Sequence, residues 1–343
     1  MMRLPLSWLL AFTTAALALL LLGSLATGPM TLTFGESLRA LFAGQESGIE
    51  AHKLLIVQGI RLPRTLLCIA VGGILGLCGA VMQGLFRNPL ADPGIIGVSG
   101  GAALGAALAI VLLAPLGQQL QAMIGIGLLP LLAFLGGALT TTLVYLLGTR
   151  EGGTSVTVML LAGVAITALS GAVIGLLTYL ADDQMLRNLS LWQMGTLAAG
   201  KPADVALALL TLAVLLWLFM RDANPLNALL LGEGEARHLG VNVQSLKRRL
   251  ILLTAAGVGV AVAVSGMIGF VGLVVPHLVR LLAGPNHVRL LPLSALLGAA
   301  LLLAADMLAR TLLAPAELPV GIITALIGAP FFIWLLVTGR RAL

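Results

Sequence analysis

The chain has 343 residues, 59% of them hydrophobic and only 9% charged, and its mean hydropathy is +1.10. Soluble globular domains keep their apolar share nearer half, so this composition excludes one and calls for a bilayer. The net charge of +6 and the 42 glycines then read as a topology signal and as close helix approach in lipid, not as a nucleic-acid surface.

Runs long enough to span a membrane, roughly 17–25 residues each, follow in order. Leu6–Thr27 is the first. Ser24-Leu25-Ala26 resembles a signal cleavage site, but the apolar run exceeds the usual signal core of about 7–15 residues. Pro29–Gly59 reads as a polar loop, and Leu62–Phe86 as the second span, opened by Pro63 where proline suits a helix start. Cys68 and Cys78 share that run, roughly 15 Å apart along a helix, and read as core residues. After the polar turn Arg87–Gly94 come Ile95–Leu113, Ile124–Leu147 and Ser155–Leu180. A polar patch Ala181–Asn188 and a short apolar piece Leu189–Ala198 precede Ala203–Met220, the sixth span.

Arg221–Arg249 is the longest run that must lie in water. Asn224 and Pro225 can open a short helix there, Gly232 and Gly234 break it, and Gly240 ends a second turn. This amphipathic knob reads either as a handle for another protein or as an interfacial loop. Leu250–Met267, Ile268–Leu282, Leu290–Leu313 and Leu318–Val337 complete about ten spans in one all-α membrane domain, residues 1–343, with both ends in the cytoplasm. Alternating sides leaves Arg87, Arg221, Arg237, Lys247, Arg248, Arg249, Arg280 and Arg289 inside, with Arg3, Arg150, Arg340 and Arg341. The outer side keeps fewer cations, as the positive-inside rule requires. The turn before the third span and the Gly/Pro-rich region around the eighth are at most faintly repeat-like.

No catalytic constellation is visible. There is no phosphate-binding GxxxxGK[ST] loop, His52, His238, His277 and His287 make no i, i+4 pair for a metal, and Ser99 with His277 is a poor hydrolase candidate. No cofactor is implied. Asp306 is the sole carboxylate deep in an apolar run. It reads as an ion site or as a structural pair with Arg310 one helical turn on. Arg61, Arg64 and Arg310 fall at the expected outer ends of the second and ninth spans, as snorkelling anchors or as a positive rim for an acidic partner outside. Tyr179, Met185, Arg187, Trp192 and Met194 crowd the outer end of the fifth span and the piece after it, where they read either as a meeting point for a large amphipathic ligand or as the ordinary lining of a re-entrant plug.

Four blocks carry a resemblance: RLPR at Arg61–Arg64, GAVMQGLFRNPLADPGIIGVSGGA at Gly79–Ala102, GFVGLVVPHLVRLLAGPNH at Gly269–His287 and ELPVGIITALIGAPFFIWLL at Glu317–Leu336. They resemble the iron-complex (FecCD) permease family of type II ABC importers. The resemblance implies a homodimer in a bacterial inner membrane that does no chemistry itself. It also implies two cytoplasmic ATPase subunits and a periplasmic substrate-binding protein. The family's coupling helices fall on residues 225–240, where Leu226, Leu229, Leu230, Gly232, Ala236 and Leu239 would enter the ATPase. Its docking arginines fall on Arg61, Arg64 and Arg310. Thr178–Leu197 looks most like the haem branch, with Arg187 facing a propionate. Siderophore and cobalamin permeases are the alternatives within the family, and an ion-coupled transporter using Asp306 is the alternative outside it.

Overall fold

A computed structural model describes residues 5–30, 32–42, 50–114, 116, 127–150, 153–198 and 200–339. The residues expected at 3, 124–126, 340 and 341 lie outside them. The chain folds as helices α1 (Leu6–Ala26), α2 (Phe34–Phe42), α3 (Ala51–Leu85), α4 (Val98–Val111), α5 (Leu128–Gly148), α6 (Val156–Leu180), α7 (Asp183–Gln193) and α8 (Pro202–Arg221). Helices α9 (Ala223–Leu230), α10 (Glu233–His238), α11 (Val243–Ser265), α12 (Val271–Ala283), α13 (His287–Thr311) and α14 (Val320–Gly339) follow. Two-residue strands Thr149–Arg150 and Gly153–Thr154 pair antiparallel between α5 and α6, Thr149 opposite Thr154. Among the described residues, seven helices have the length and hydropathy to cross a bilayer and three shorter apolar ones join them, which matches the expectation of about ten.

Polar residues outside the apolar runs set the helix starts. Asp182 accepts from Met185 N at 2.8 Å, Asn242 from Ser245 N at 3.1 Å and Asn286 from Val288 N at 3.0 Å, each satisfying a donor that the first turn leaves open. Pro63 falls in the first turn of the α-helical segment Leu62–Leu85, as expected, but that segment is not a free start. The helical run begins at Ala51, and wider π turns over Leu55–Arg61 lead into Leu62–Leu85. Such turns relieve the missing N–H and ring clash of a proline inside a helix. Asn224 does not cap the knob either: α9 starts one residue earlier, after Asp222.

Helix α3 is the centre of the bundle. Its apolar window is 89% buried, against 17% for α1 and α6, and it packs on α8, α11, α12 and α13. Its tightest partner is α13. A Cβ on Gly72 would sit 2.4 Å from Gly298 O, one on Gly76 2.4 Å from Ser294 O, and one on Gly298 2.3 Å from Gly72 O. Only glycine lets two backbones approach so closely, and in lipid such packing replaces the hydrophobic drive.

Helices α4 and α12 are too short to cross a core about 30 Å thick, since at 1.5 Å per residue they reach roughly 20 Å. Both start inside the bundle. Asp92 Oδ2, Pro93 and the Leu75 carbonyl all lie within 3.5 Å of the Cβ position of Gly272, on the first turn of α12. Leu75 is near the middle of Leu62–Leu85, so the end of the polar turn, Ala91–Gly94, dips into the bundle, while Arg87–Pro89 stay exposed.

Candidate functional site

Two clusters lie at opposite ends of the α3–α13 pair. At the knob end, Leu226 and Leu229 of α9 are 0% and 1% exposed, inserted against α3 and α13. Ala236 of α10 is also buried. These three expected coupling residues therefore face the bundle. A helix of eight residues with leucines on most of its circumference must bury one face, and the 3.6-residue period puts Leu226 and Leu229 on it. The outward face carries Leu230, Leu231 and Leu239, which are 37%, 68% and 64% exposed. Gly232, at φ 125°, makes the break between the two short helices. Charged staples hold the knob down: Lys247 Nζ lies 2.6 Å from Glu233 and donates to Thr154 O at 3.0 Å, and Arg249 Nε donates to Asp222 at 2.8 Å. Lys247, expected in water, is 2% exposed.

At the other end the three arginines do come together, but not as an open rim. They are 4%, 6% and 2% exposed for Arg61, Arg64 and Arg310. Arg64 Nη2 and Arg310 Nε hold Asp306 at 2.9 and 3.0 Å, and Arg64 Nη1 reaches Glu317 at 2.7 Å. The i, i+4 pair expected for Asp306 is present, with Arg64 added from α3. Arg310 also donates to Ser24 Oγ at 2.7 Å and Thr27 O at 3.0 Å. Arg61 donates to Leu25 O at 2.7 Å, Ala26 O at 3.0 Å and Met30 O. The two guanidiniums thus serve the carbonyls that the C-terminus of α1 leaves unsatisfied, where the helix dipole favours a cation. Nearby, Glu36 of α2 accepts from Lys53 and Thr33, which holds its carboxyl down to about 2.

The expected substrate-path residues scatter. Tyr179 is 86% exposed and Arg187 is exposed, Met185 is half-buried, and Trp192 is buried at 8%. Trp192 is a core residue: its carbonyl accepts from Gly195 N at 3.1 Å where α7 meets the end of α11. Met194 lines a cavity of about 400 Å³ with Asp92, Ser99, Gln193, Met267 and Phe270. Phe270 holds φ 68°, a conformation bulky side chains rarely adopt. The sequence reading missed Asp92 and Gln193 as cavity residues. The prolines flanking Leu90–Asp92 were the available signal, since they forbid helix and force a compact turn.

The FecCD transport family model matches residues 16–338. The hemin transport system permease protein HmuU of Yersinia pestis is 47% identical over 97% of this chain and 96% of its own. The cobalamin import system permease protein BtuC of Halobacterium salinarum is 45% identical over 87% of this chain and 77% of its own. A solved metal-chelate type ABC transporter in an inward-facing conformation superposes with TM-score 0.81 at 34% identity, covering 97% of this chain and 99% of that one. These likenesses run through both end clusters and the short helices between them, and the chain belongs to the FecCD transport family.

Proposed function

We propose that the chain is the membrane-spanning permease subunit of an ATP-driven importer that moves hemin or a related iron chelate across a bacterial inner membrane. The observation that carries this reading is its 47% identity, over 97% of its length, to a hemin permease. The knob end faces the cytoplasm, as Arg221, Arg237, Arg248 and Arg249 require, and it receives the ATPase subunit. Leu230, Leu231 and Leu239 supply the outward apolar contact, with Gly232 as the hinge between the two helices.

A second copy covers α6. That helix shows Val158, Leu161, Leu169 and Leu176 to the outside, and Gly171 and Gly175 meet nothing within 4 Å. This is the GxxxG spacing that lets membrane helices approach. Cargo passes along the seam between the two copies, where Tyr179, Met185 and Arg187 are available to it. The binding protein docks at the arginine end. Arg64 and Arg310 are already balanced by the two carboxylates of Asp306 and Glu317, so the charge offered there is that of Arg61, which has no carboxylate partner among the described residues.

ATP-driven uptake by proteoliposomes holding this chain, its ATPase subunit and its binding protein tests the reading, with hemin and cobalamin as competing cargoes. Accumulation of hemin in preference to cobalamin is expected. Preference for cobalamin would instead support the second reading, which the 45% identity to a cobalamin permease favours. Replacing Leu230, Leu231 and Leu239 together by Asp should release the ATPase subunit while the bundle stays folded. Retained ATPase binding would sink the knob assignment.

A further inference from the structure

The knob meets the bundle through two kinds of contact. The apolar pegs Leu226 and Leu229 are non-directional and tolerate sliding. A polar joint beside them does not. The side chain of Asn227, on α9, is spent entirely on the first residues of α13. Its Oδ1 accepts from the His287 backbone N–H at 2.8 Å and lies 3.0 Å from His287 Nδ1. Its Nδ2 donates to Asn286 Oδ1 at 2.9 Å, the same oxygen that caps α13 by accepting from Val288 N at 3.0 Å. With the amide oriented this way, Nδ1 is the protonated nitrogen of the ring.

His287 is 1% exposed, and its other edge rests on α3: a Cβ on Gly84 would lie 2.2 Å from Nε2. One imidazole therefore wedges between the knob, the start of α13 and the last turn of α3. Beyond it, α3 and α13 are interlocked by Gly72, Gly76 and Gly298. At their far end Arg64 of α3 grips Asp306 of α13 at 2.9 Å. The two helices are fastened at both ends and in the middle, so they move as one body roughly 37 Å long. The charged staples of Lys247 and Arg249 tie the knob to α11 instead, leaving Asn227 as its directional hold on the central pair.

We infer that Asn227 and His287 form the joint that carries knob displacement into the α3–α13 rod, and so to the arginine end. They are positioning residues for transport, not cargo contacts. The inference rests on the reading of the knob as the ATPase contact. Coupling across a membrane protein needs an element that both ends bias, and here that element is a rod with a hydrogen-bonded socket at one end.

The test uses the reconstituted permease with its ATPase subunit and binding protein. Spin labels on Leu313→Cys, at the arginine end of both copies, report ATP-driven distance change, alongside ATPase binding and hemin uptake per ATP. Asn227→Leu leaves two N–H groups without an acceptor, and Gly84→Ala unseats the ring from the α3 side without touching either hydrogen-bonding residue. Both should keep ATPase binding and hydrolysis, yet lose uptake per ATP roughly tenfold, as the loss of hydrogen bonds to buried donors implies, together with most of the distance change. Asn227→Asp keeps an acceptor for both His287 N–H groups and places negative charge at a helix N-terminus, where it is favoured, but it loses the donor to Asn286 Oδ1. It should couple better than Asn227→Leu and short of wild type, and coupling as poor as that of Asn227→Leu would overturn the role given to the His287 bonds. Normal coupling by Asn227→Leu would overturn the joint alone, as would its failure to bind the ATPase, which would make Asn227 a docking residue. A wild-type chain that bound no ATPase subunit would overturn the knob reading and the joint with it.

Discussion

Asp306 is fully buried and held by two arginines from different helices. Breaking such a cluster by removing one partner costs about 3–5 kcal/mol, because the remaining charges stay desolvated. Asp306→Asn should therefore lower thermal stability markedly in detergent, while the folded fraction retains ATP-driven uptake that dissipating ion gradients does not change. Uptake that followed a proton or sodium gradient, and vanished in Asp306→Asn, would restore the ion-site reading. The i, i+4 spacing made the Asp306–Arg310 pair legible in the sequence. Arg64 was not legible as its partner, nor Arg61 as a cap on α1, because those contacts join segments far apart in the chain. Arg61→Ala should weaken docking of the binding protein and flatten its salt dependence; unchanged docking at low salt would contradict the role given to Arg61.

Among the elements, glycines divide by what faces them. Gly298→Ala would drive a Cβ to 2.3 Å from the Gly72 carbonyl, a backbone atom that cannot rotate away, so destabilisation of the order of a strained core substitution, about 1–3 kcal/mol, is expected. Gly171→Leu, on α6 with nothing within 4 Å, should leave the single chain folded and weaken the pairing of two copies, which cross-linking in the membrane would read. Equal stability loss in the two variants would refute the distinction. Hydropathy placed α1, α6, α8 and α13 to within a few residues, because a helix in lipid declares its apolar length. At α3 it placed Leu62–Leu85 with Pro63 in its first turn, and missed the helical run from Ala51 to Arg61 that precedes it. At α4 it found the bounds to within a few residues but not the depth, because hydropathy cannot tell that Asp92–Gly97 folds back among the helices. In the knob it located the short helices but not their buried side: with leucines at 226, 229, 230 and 231, either face could have gone down.

At the scale of the molecule, the chain is a closely packed central pair of helices among more exposed ones, with a wet protrusion at one end and a buried ionic clasp at the other. In the proposed reading, an ATPase partner gripping that protrusion supplies the work. The direct test is hemin accumulation in sealed proteoliposomes holding the permease and binding protein, with and without the ATPase subunit and ATP, in the presence of ionophores. The account predicts accumulation only when ATPase and ATP are both present, indifferent to ionophores. Accumulation by the permease without its ATPase, or accumulation abolished by ionophores, would contradict it.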